Sequence, residues 1–70
     1  MESQAEITGK RLTEIRKKHK YTQQYVADSI KISRSAYSQY EIGAREPKTE
    51  TLIQIADLYH VAVDYLIGRY

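Results

Sequence analysis

The stretch that decides the fold is residues 22–41, TQQYVADSIKISRSAYSQYE, which predicts two short helices on either side of a tight turn. Thr22 and Ser33 are residue types that cap helices, because their side-chain oxygen accepts a hydrogen bond from a backbone N–H of the first turn. One helix is therefore predicted to follow Thr22 and the next to follow Ser33. The connection at 31–33 is too short to bring the two helices side by side, so we expect a steep crossing.

Apolar residues spaced three and four positions apart predict helices along the rest of the chain as well. The clearest amphipathic stripe belongs to the fourth helix, at positions 52, 55, 56 and 59. Five short helices with tight turns predict an all-α, compact five-helix bundle in which helices 2 and 3 form a helix-turn-helix. The first predicted helix begins somewhere in 4–8 and ends at about 19, and the others cover about 23–30, 34 to 42 or 43, 48–59 and 63–67.

The start of the first helix has two competing signals. Residues 3–6, SQAE, fit a capping box, in which the first and last side chains satisfy each other's backbone N–H groups. Gly9, in contrast, weakens a helix at this point. We therefore expect a single domain over 1–70 in which residues 1–5 are disordered.

Composition excludes several classes of protein. With 70 residues and no apolar run of about 20 residues, neither a second domain nor a transmembrane helix is expected. The absence of cysteine excludes disulfides and cysteine-based zinc sites, and the 2 histidines have no ligand spacing. No nucleophile–base pair and no glycine-rich phosphate loop are present, so we expect no enzyme, no cofactor and no metal. The expected location is intracellular.

The positive charge is concentrated in one segment. The chain has a net charge of +2, whereas residues 9–20 contain six Lys or Arg and one Glu, a local charge of +5. A basic face of this kind favours a polyanionic partner. A solvated lysine-rich helix would give the same count, so charge alone leaves both interpretations open.

The helix that follows Ser33 has two different faces when it is plotted at about 100° per residue. Arginine can donate two hydrogen bonds to guanine, glutamine can pair with adenine, and serine lets a helix approach the bases closely. An ordinary amphipathic helix has a similar polar face, so this pattern alone does not separate the two interpretations. The polar arc carries Arg34, Ser35, Ser38 and Gln39, and the opposite arc carries Ala36, Tyr37 and Tyr40.

From residue 11 to residue 68 the chain resembles the lambda-repressor-like DNA-binding domains, the Cro/cI or XRE-type helix-turn-helix proteins. The resemblance implies a bacterial or phage transcriptional regulator, a repressor, that acts in the cytoplasm at the nucleoid. The order and spacing of the matching stretches carry the resemblance. They are RLTEIR at 11–16, YTQQYVA at 21–27, ISRSAYSQYE at 32–41, GAREP at 43–47 and residues 51–68.

The resemblance also assigns roles to individual residues. Gln23 is expected both to bond a phosphate and to brace the third helix, which is the recognition helix. Arg16 and Glu41 are expected to form an ion pair between the first and third helices, and a carboxylate at the edge of the apolar arc would be costly without a partner. Base reading is assigned to Arg34, Ser35, Ser38 and Gln39. The resemblance assigns phosphate contacts to Gln23 and Arg45, and we expect further phosphate contacts from Lys31, Ser33 and Tyr40.

Five positions depart from the family pattern. Lys20, Lys31 and His60 stand where the family commonly has glycine, so a left-handed backbone there would cost each about 1 kcal/mol. Ile42 replaces a frequent asparagine, which removes a polar contact near the DNA backbone. Ala62 replaces a serine or threonine cap, so the fifth helix is expected to fray.

The sequence contains seven tyrosines and neither phenylalanine nor tryptophan. Tyr21, Tyr37, Tyr40 and Tyr59 stand where relatives place leucine or isoleucine, so tyrosine is expected to replace phenylalanine and leucine in the core. Their hydroxyls then need hydrogen-bond partners or water at the edge of that core.

The expected partner is double-stranded DNA with a palindromic operator. Relatives often dimerise through the C-terminal region, and a two-fold dimer presents its recognition helices about 34 Å apart, in successive major grooves. No membrane and no small-molecule ligand are expected. The alternative is a protein–protein module, such as an antitoxin or an anti-repressor partner, with the same fold. The residues expected at the homodimer interface are Val63, Tyr65, Ile67 and Tyr70.

Overall fold

A computed structural model describes residues 1–69 and contains five α-helices joined by short turns. The helices lie close to their predicted positions, so the predicted all-α five-helix fold is confirmed. Both α1 and α2 pack against α3, and α5 packs against α1 and α4. The helices are α1 Gln4–Lys18, α2 Gln23–Ser29, α3 Arg34–Glu41, α4 Thr49–Tyr59 and α5 Val63–Leu66.

The core takes apolar side chains from all five helices. In α4 the predicted stripe supplies Ile55, Ala56 and Tyr59, while Leu52 lies half-buried at the edge. From α3 only Tyr37 is fully buried, and this fixes which side of the helix faces inward. The buried apolar residues are Leu12, Ile15, Val26, Ala27, Ile30, Tyr37, Ile55, Ala56, Tyr59 and Leu66.

The N-terminal segment is helical from Gln4, which corrects the expectation of disorder for Gln4 and Ala5. Ser3 and Glu6 form a complete capping box, so the first backbone N–H groups of α1 have partners. The Gln4 amide also donates a hydrogen bond to the Ile67 carbonyl at 2.8 Å. This bond joins the start of α1 to the end of α5.

All five helices end in the same backbone motif. A residue with positive φ follows each helix, and its N–H and the next N–H donate to carbonyls three and five positions earlier. Three of these residues are not glycine, so they carry the left-handed strain expected from the sequence. The five are Lys20 (58°), Lys31 (60°), Gly43 (78°), His60 (57°) and Gly68 (79°).

We expect His60→Gly to raise the free energy of unfolding by about 1 kcal/mol, because glycine adopts the left-handed conformation without a Cβ clash. Chemical denaturation measures the change. The control is Gln54→Gly, at an exposed position inside α4. There glycine should lower the free energy of unfolding relative to the parent, because inside a helix glycine is about 1 kcal/mol less favourable than alanine and glutamine is close to alanine. A His60→Gly variant no more stable than the parent would contradict the argument.

The last helix, α5, is a single turn without a side-chain cap, as the alanine at position 62 predicts. It nevertheless keeps its helical turn, whereas the sequence predicted fraying. The reason is packing, because Leu66 is 0% exposed and ties the turn to the core.

Candidate nucleic-acid interface

The candidate interface is the outward face of α3, which we call the reading face and define by Arg34, Ser35, Ser38 and Gln39. Arg34 and Ser35 are exposed, and the other two are half-buried. Within residues 1–69 their side chains form no hydrogen bond or ion pair. The structure therefore places the four predicted residues on one side of the helix with their polar groups turned away from the core.

Two features orient this face. Ser33 caps α3 by accepting a hydrogen bond from the Ala36 N–H at 3.0 Å. Tyr37, on the opposite side of the helix, is fully buried in the core. Rotation of α3 about its axis would expose Tyr37, so burial of this one ring keeps the polar arc turned outward.

A buried ion pair connects α3 to α1. The Arg16 Nε donates to the Glu41 Oε2 at 2.6 Å, and the Arg16 Nη2 donates to the Glu41 Oε1 at 3.0 Å. The two side chains are only 14% and 4% exposed. The Arg16 Nη1 also donates to the Tyr21 carbonyl at 3.0 Å, so the guanidinium reaches the segment before α2 as well. The structure thus brings together the two residues that were expected to pair.

Gln23, the first residue of α2, adds a third connection to Glu41. Its Nε2 donates to the Glu41 Oε1 at 3.0 Å, so the brace expected of Gln23 reaches the C-terminal end of α3. Burial by itself would raise the pKa of Glu41, but the hydrogen bonds from Arg16 and Gln23 outweigh it and hold that pKa below its ordinary value. Glu41 is therefore a carboxylate at neutral pH.

Two of the expected phosphate-contacting residues lie at opposite ends of α3. Lys31 is exposed in the turn before the helix, and Arg45 is exposed in the loop after it. The Arg45 N–H donates to the Gln39 carbonyl at 3.3 Å, which fixes the start of this loop. Tyr40 is half-buried and packs edge-on against the ring of Tyr37.

Three of the four residues expected at a dimer interface lie within 1–69, and they make contacts inside the domain. Val63 and Tyr65 are partly buried against the core, and the Arg11 guanidinium lies 5.0 Å from the Tyr65 ring centroid. Ile67 is half-buried. Tyr70 lies outside the described residues.

Sequence reasoning missed the position of Gly9. A Cβ at this residue would lie 2.5 Å from the Glu41 carbonyl oxygen and 2.6 Å from the Tyr40 carbonyl oxygen. The backbone of α1 therefore touches the last turn of α3 directly. A glycine inside an apolar helical pattern was the only available signal, and it indicated a weak helix.

The tyrosines are divided between the core and a second aromatic group at the end of α1. Tyr37 and Tyr59 are buried, and within residues 1–69 no protein group forms a hydrogen bond with their hydroxyls. Burial raises the pKa of Tyr59 to about 12. Ring centroids 4.5 to 5.9 Å apart connect His19, Tyr21, Tyr25 and Tyr59.

Residues 1–69 lack the features of three other kinds of site. Across 1–69, no group of three or more histidine, aspartate or glutamate side chains is arranged to hold a metal ion. Nor does this part of the chain contain a pocket. None of its helices has the length and apolar character that crossing a membrane requires.

Known proteins similar to this chain carry the same domain. A helix-turn-helix family model matches residues 12–66. The HTH-type transcriptional regulators ImmR and AnsR of Bacillus subtilis (strain 168) are 44% and 48% identical to this chain over 61 and 59 residues. The cryptic phage CTXphi transcriptional repressor RstR of Vibrio cholerae is 42% identical over 60 residues. These alignments cover 87%, 84% and 86% of this chain but 48%, 51% and 54% of the relatives. The chain therefore spans about half the length of the curated relatives it matches.

A solved structure has the same fold. The clp gene regulator ClgR from C. glutamicum superimposes with a TM-score of 0.88, covering 97% of this chain and 88% of that one. At 20% sequence identity this likeness establishes the fold alone. The family follows from the sequence match, which runs from the second half of α1 to the end of α5. The chain belongs to the lambda-repressor-like, XRE-type helix-turn-helix family of DNA-binding domains.

Proposed function

We propose that this chain is a sequence-specific transcriptional regulator, a repressor, that binds double-stranded DNA with α3 in the major groove. The observation that supports this most directly is the reading face, four polar side chains turned outward with no partner inside residues 1–69. The names of the relatives agree with this proposal, since RstR is named a repressor and ImmR a transcriptional regulator. No enzymatic activity is proposed.

Base recognition is assigned to the reading face. Arg34 donates two hydrogen bonds to the O6 and N7 of a guanine, and Gln39 pairs with the N6 and N7 of an adenine. Ser35 and Ser38 accept or donate single hydrogen bonds, and their small size lets the helix approach the bases. The only carboxylate of α3 is held by Arg16, so it does not repel phosphate.

Phosphate contacts supply the affinity that is independent of sequence. Lys31 and Arg45 extend toward the backbone from the two ends of α3. Gln23 donates one amide N–H to Glu41 and, in the proposed complex, donates the second to a phosphate. The hydroxyls of Ser33 and Tyr40 complete the set.

We further propose a homodimer on a palindromic operator, located at the bacterial nucleoid in the cytoplasm. The two recognition helices then lie about 34 Å apart, in successive major grooves. Val63, Tyr65, Ile67 and Tyr70 form its interface. Sedimentation of the chain, free and on DNA, tests this part, and a monomer under both conditions would refute it.

The test of base reading starts from an operator selected from random DNA. Arg34→Ala is expected to reduce discrimination at one base pair by about 1–3 kcal/mol, with an unchanged melting curve. Gln39→Ala should reduce discrimination between bases at a different base pair of the operator. Lys31→Ala should weaken binding to all sequences alike. It should also reduce by about 1 the steepness with which the logarithm of the binding constant falls against the logarithm of the salt concentration. Titrations at several salt concentrations measure these effects.

The matched control is Gln54→Ala, which removes an exposed glutamine of α4 and should change neither the base preference nor the dependence of affinity on salt. Equal binding by the parent, Arg34→Ala and Gln39→Ala across operator sequences would refute the assignment. That outcome would favour the alternative, a protein–protein module with the same fold.

A further inference from the structure

We propose that Ile42 is an additional specificity residue, which contacts the C5-methyl group of a thymine in the operator. The proposal rests on the proposed function, since it requires α3 to enter the major groove. Ile42 caps the C-terminus of α3, with the helical backbone angles φ −84° and ψ −1°. Its side chain is 71% exposed, although it is one of the large apolar residues of the chain.

Ile42 lies on the reading face and not beside it. At about 100° per residue, it falls between Ser38 and Ser35 on the helical wheel, one turn beyond Ser38. The side chains of both serines are short, so the branched side chain of Ile42 projects beyond them. The face therefore ends in one apolar group on an otherwise polar surface.

The direction of Ile42 is fixed by the turn that follows it. The Gly43 N–H donates to the Tyr40 carbonyl at 3.3 Å, and the Ala44 N–H donates to the Gln39 carbonyl at 3.0 Å. Both hydrogen bonds end the helix after Ile42, whose own backbone angles are still helical, so its Cα–Cβ bond keeps the direction that the helical wheel gives. Tyr37 and Tyr40 occupy the inward side.

The major groove offers one apolar group, the methyl group of thymine. C5 lies next to C6 of the ring, close to the sugar of its own strand, so the methyl group is near the edge of the groove. Ile42 lies about 12 Å from Arg34 along the helix axis, eight residues at about 1.5 Å each. A helix that enters the groove with its N-terminus carries Ile42 at that edge, where isoleucine can bury a methyl group but cannot donate to a phosphate.

A double-substitution experiment with the full chain tests this contact. Each thymine of the selected operator is replaced in turn by deoxyuridine, which removes only the C5-methyl group. At one position the parent should lose affinity by about fourfold, the equivalent of burying one methyl group. Ile42→Ala should lose affinity for the unmodified operator by a similar factor and be insensitive to deoxyuridine at that same position.

Two further variants sharpen the result. Ile42→Asn should also be insensitive to deoxyuridine, since its amide can reach a phosphate but cannot bury the methyl group. Ile53→Ala removes another exposed isoleucine, on α4, and should keep the parent's sensitivity to deoxyuridine.

The outcomes separate this proposal from the one on which it rests. If the parent prefers its operator but Ile42→Ala and deoxyuridine act additively at every thymine, the Ile42 contact is refuted and the proposed function stands. If Ile42→Ala changes only the sedimentation of the chain, Ile42 is a protein contact and the proposal is likewise refuted. If the parent has no sequence preference, the proposed function itself fails.

Discussion

Replacing Glu41 with alanine is expected to lower the free energy of unfolding by about 3 kcal/mol, because it leaves a buried guanidinium without its carboxylate. Arg16 donates two hydrogen bonds to Glu41 and its side chain is 14% exposed, so water cannot fully replace the lost partner. The Gln23 amide loses its acceptor in the same variant. Chemical denaturation measures the change, and an unaltered melting curve would contradict the role given to the pair.

Two variants serve as controls for this experiment. Glu41→Gln keeps the shape and one acceptor, so it should lose less stability than Glu41→Ala. Glu2→Ala breaks the exposed ion pair between Glu2 and Lys10, whose side chains are 45% and 69% exposed. Exposed pairs contribute little, so its melting temperature should match that of the parent.

The same carboxylate makes stability dependent on pH. The pKa of Glu41 is lower in the folded chain than its ordinary value of 4.5, so ionisation of Glu41 stabilises the fold above pH 4.5. As the pH falls through the folded pKa, this contribution is lost. We therefore expect the parent to lose stability in acid more steeply than Glu41→Gln, as thermal melts between neutral pH and pH 3 would show. Parallel pH profiles would contradict this expectation.

Gly9→Ala is expected to destabilise the domain by about 3 kcal/mol, the upper end of the usual range for overpacking. The added methyl group would lie 2.5 and 2.6 Å from two backbone carbonyl oxygens of α3. Backbone atoms cannot rotate away as a side chain can, so α1 and α3 must separate. Urea denaturation measures the loss of stability.

An exposed position of α1 supplies the control for Gly9. Glu14→Ala should be close to neutral, because this side chain is exposed and alanine favours a helix. Elsewhere in a helix, replacing glycine by alanine stabilises by about 1 kcal/mol. The sign of the effect at Gly9 therefore separates the two explanations, and a more stable Gly9→Ala variant would show that α1 and α3 are not in direct backbone contact.

The helix boundaries could be predicted because their causes are local. Thr22 and Ser33 cap helices with their own side chains, within three residues of the N–H they satisfy. At Ser3 the same signal was opposed by Gly9, so the start of α1 was not predicted. The position of Tyr37 on the apolar arc determined which side of α3 turns inward. The pairing of Arg16 with Glu41 was expected from the family pattern and from the cost of an unpaired carboxylate on that arc.

Contacts between distant segments could not be predicted in the same way. Gly9 touches a carbonyl 32 residues further along the chain, and its sequence signal is identical to that of a glycine that merely weakens a helix. The Gln4 bond to Ile67 joins two segments that the sequence places at opposite ends. The position of Ile42 is different, since one more residue on the helical wheel would have placed it on the reading face.

The attachment of α3 has a consequence for the DNA. The C-terminal end of α3 is held by the ion pair to Arg16 and by the backbone contact at Gly9. The middle of the helix is held by the buried ring of Tyr37. A helix attached at three points has little freedom to adjust its angle, so in the proposed complex the duplex must bend or twist to meet it. Base steps differ in the energy that such deformation costs. In the proposed complex we therefore expect operator positions that no side chain touches to contribute to selectivity through the stiffness of the DNA.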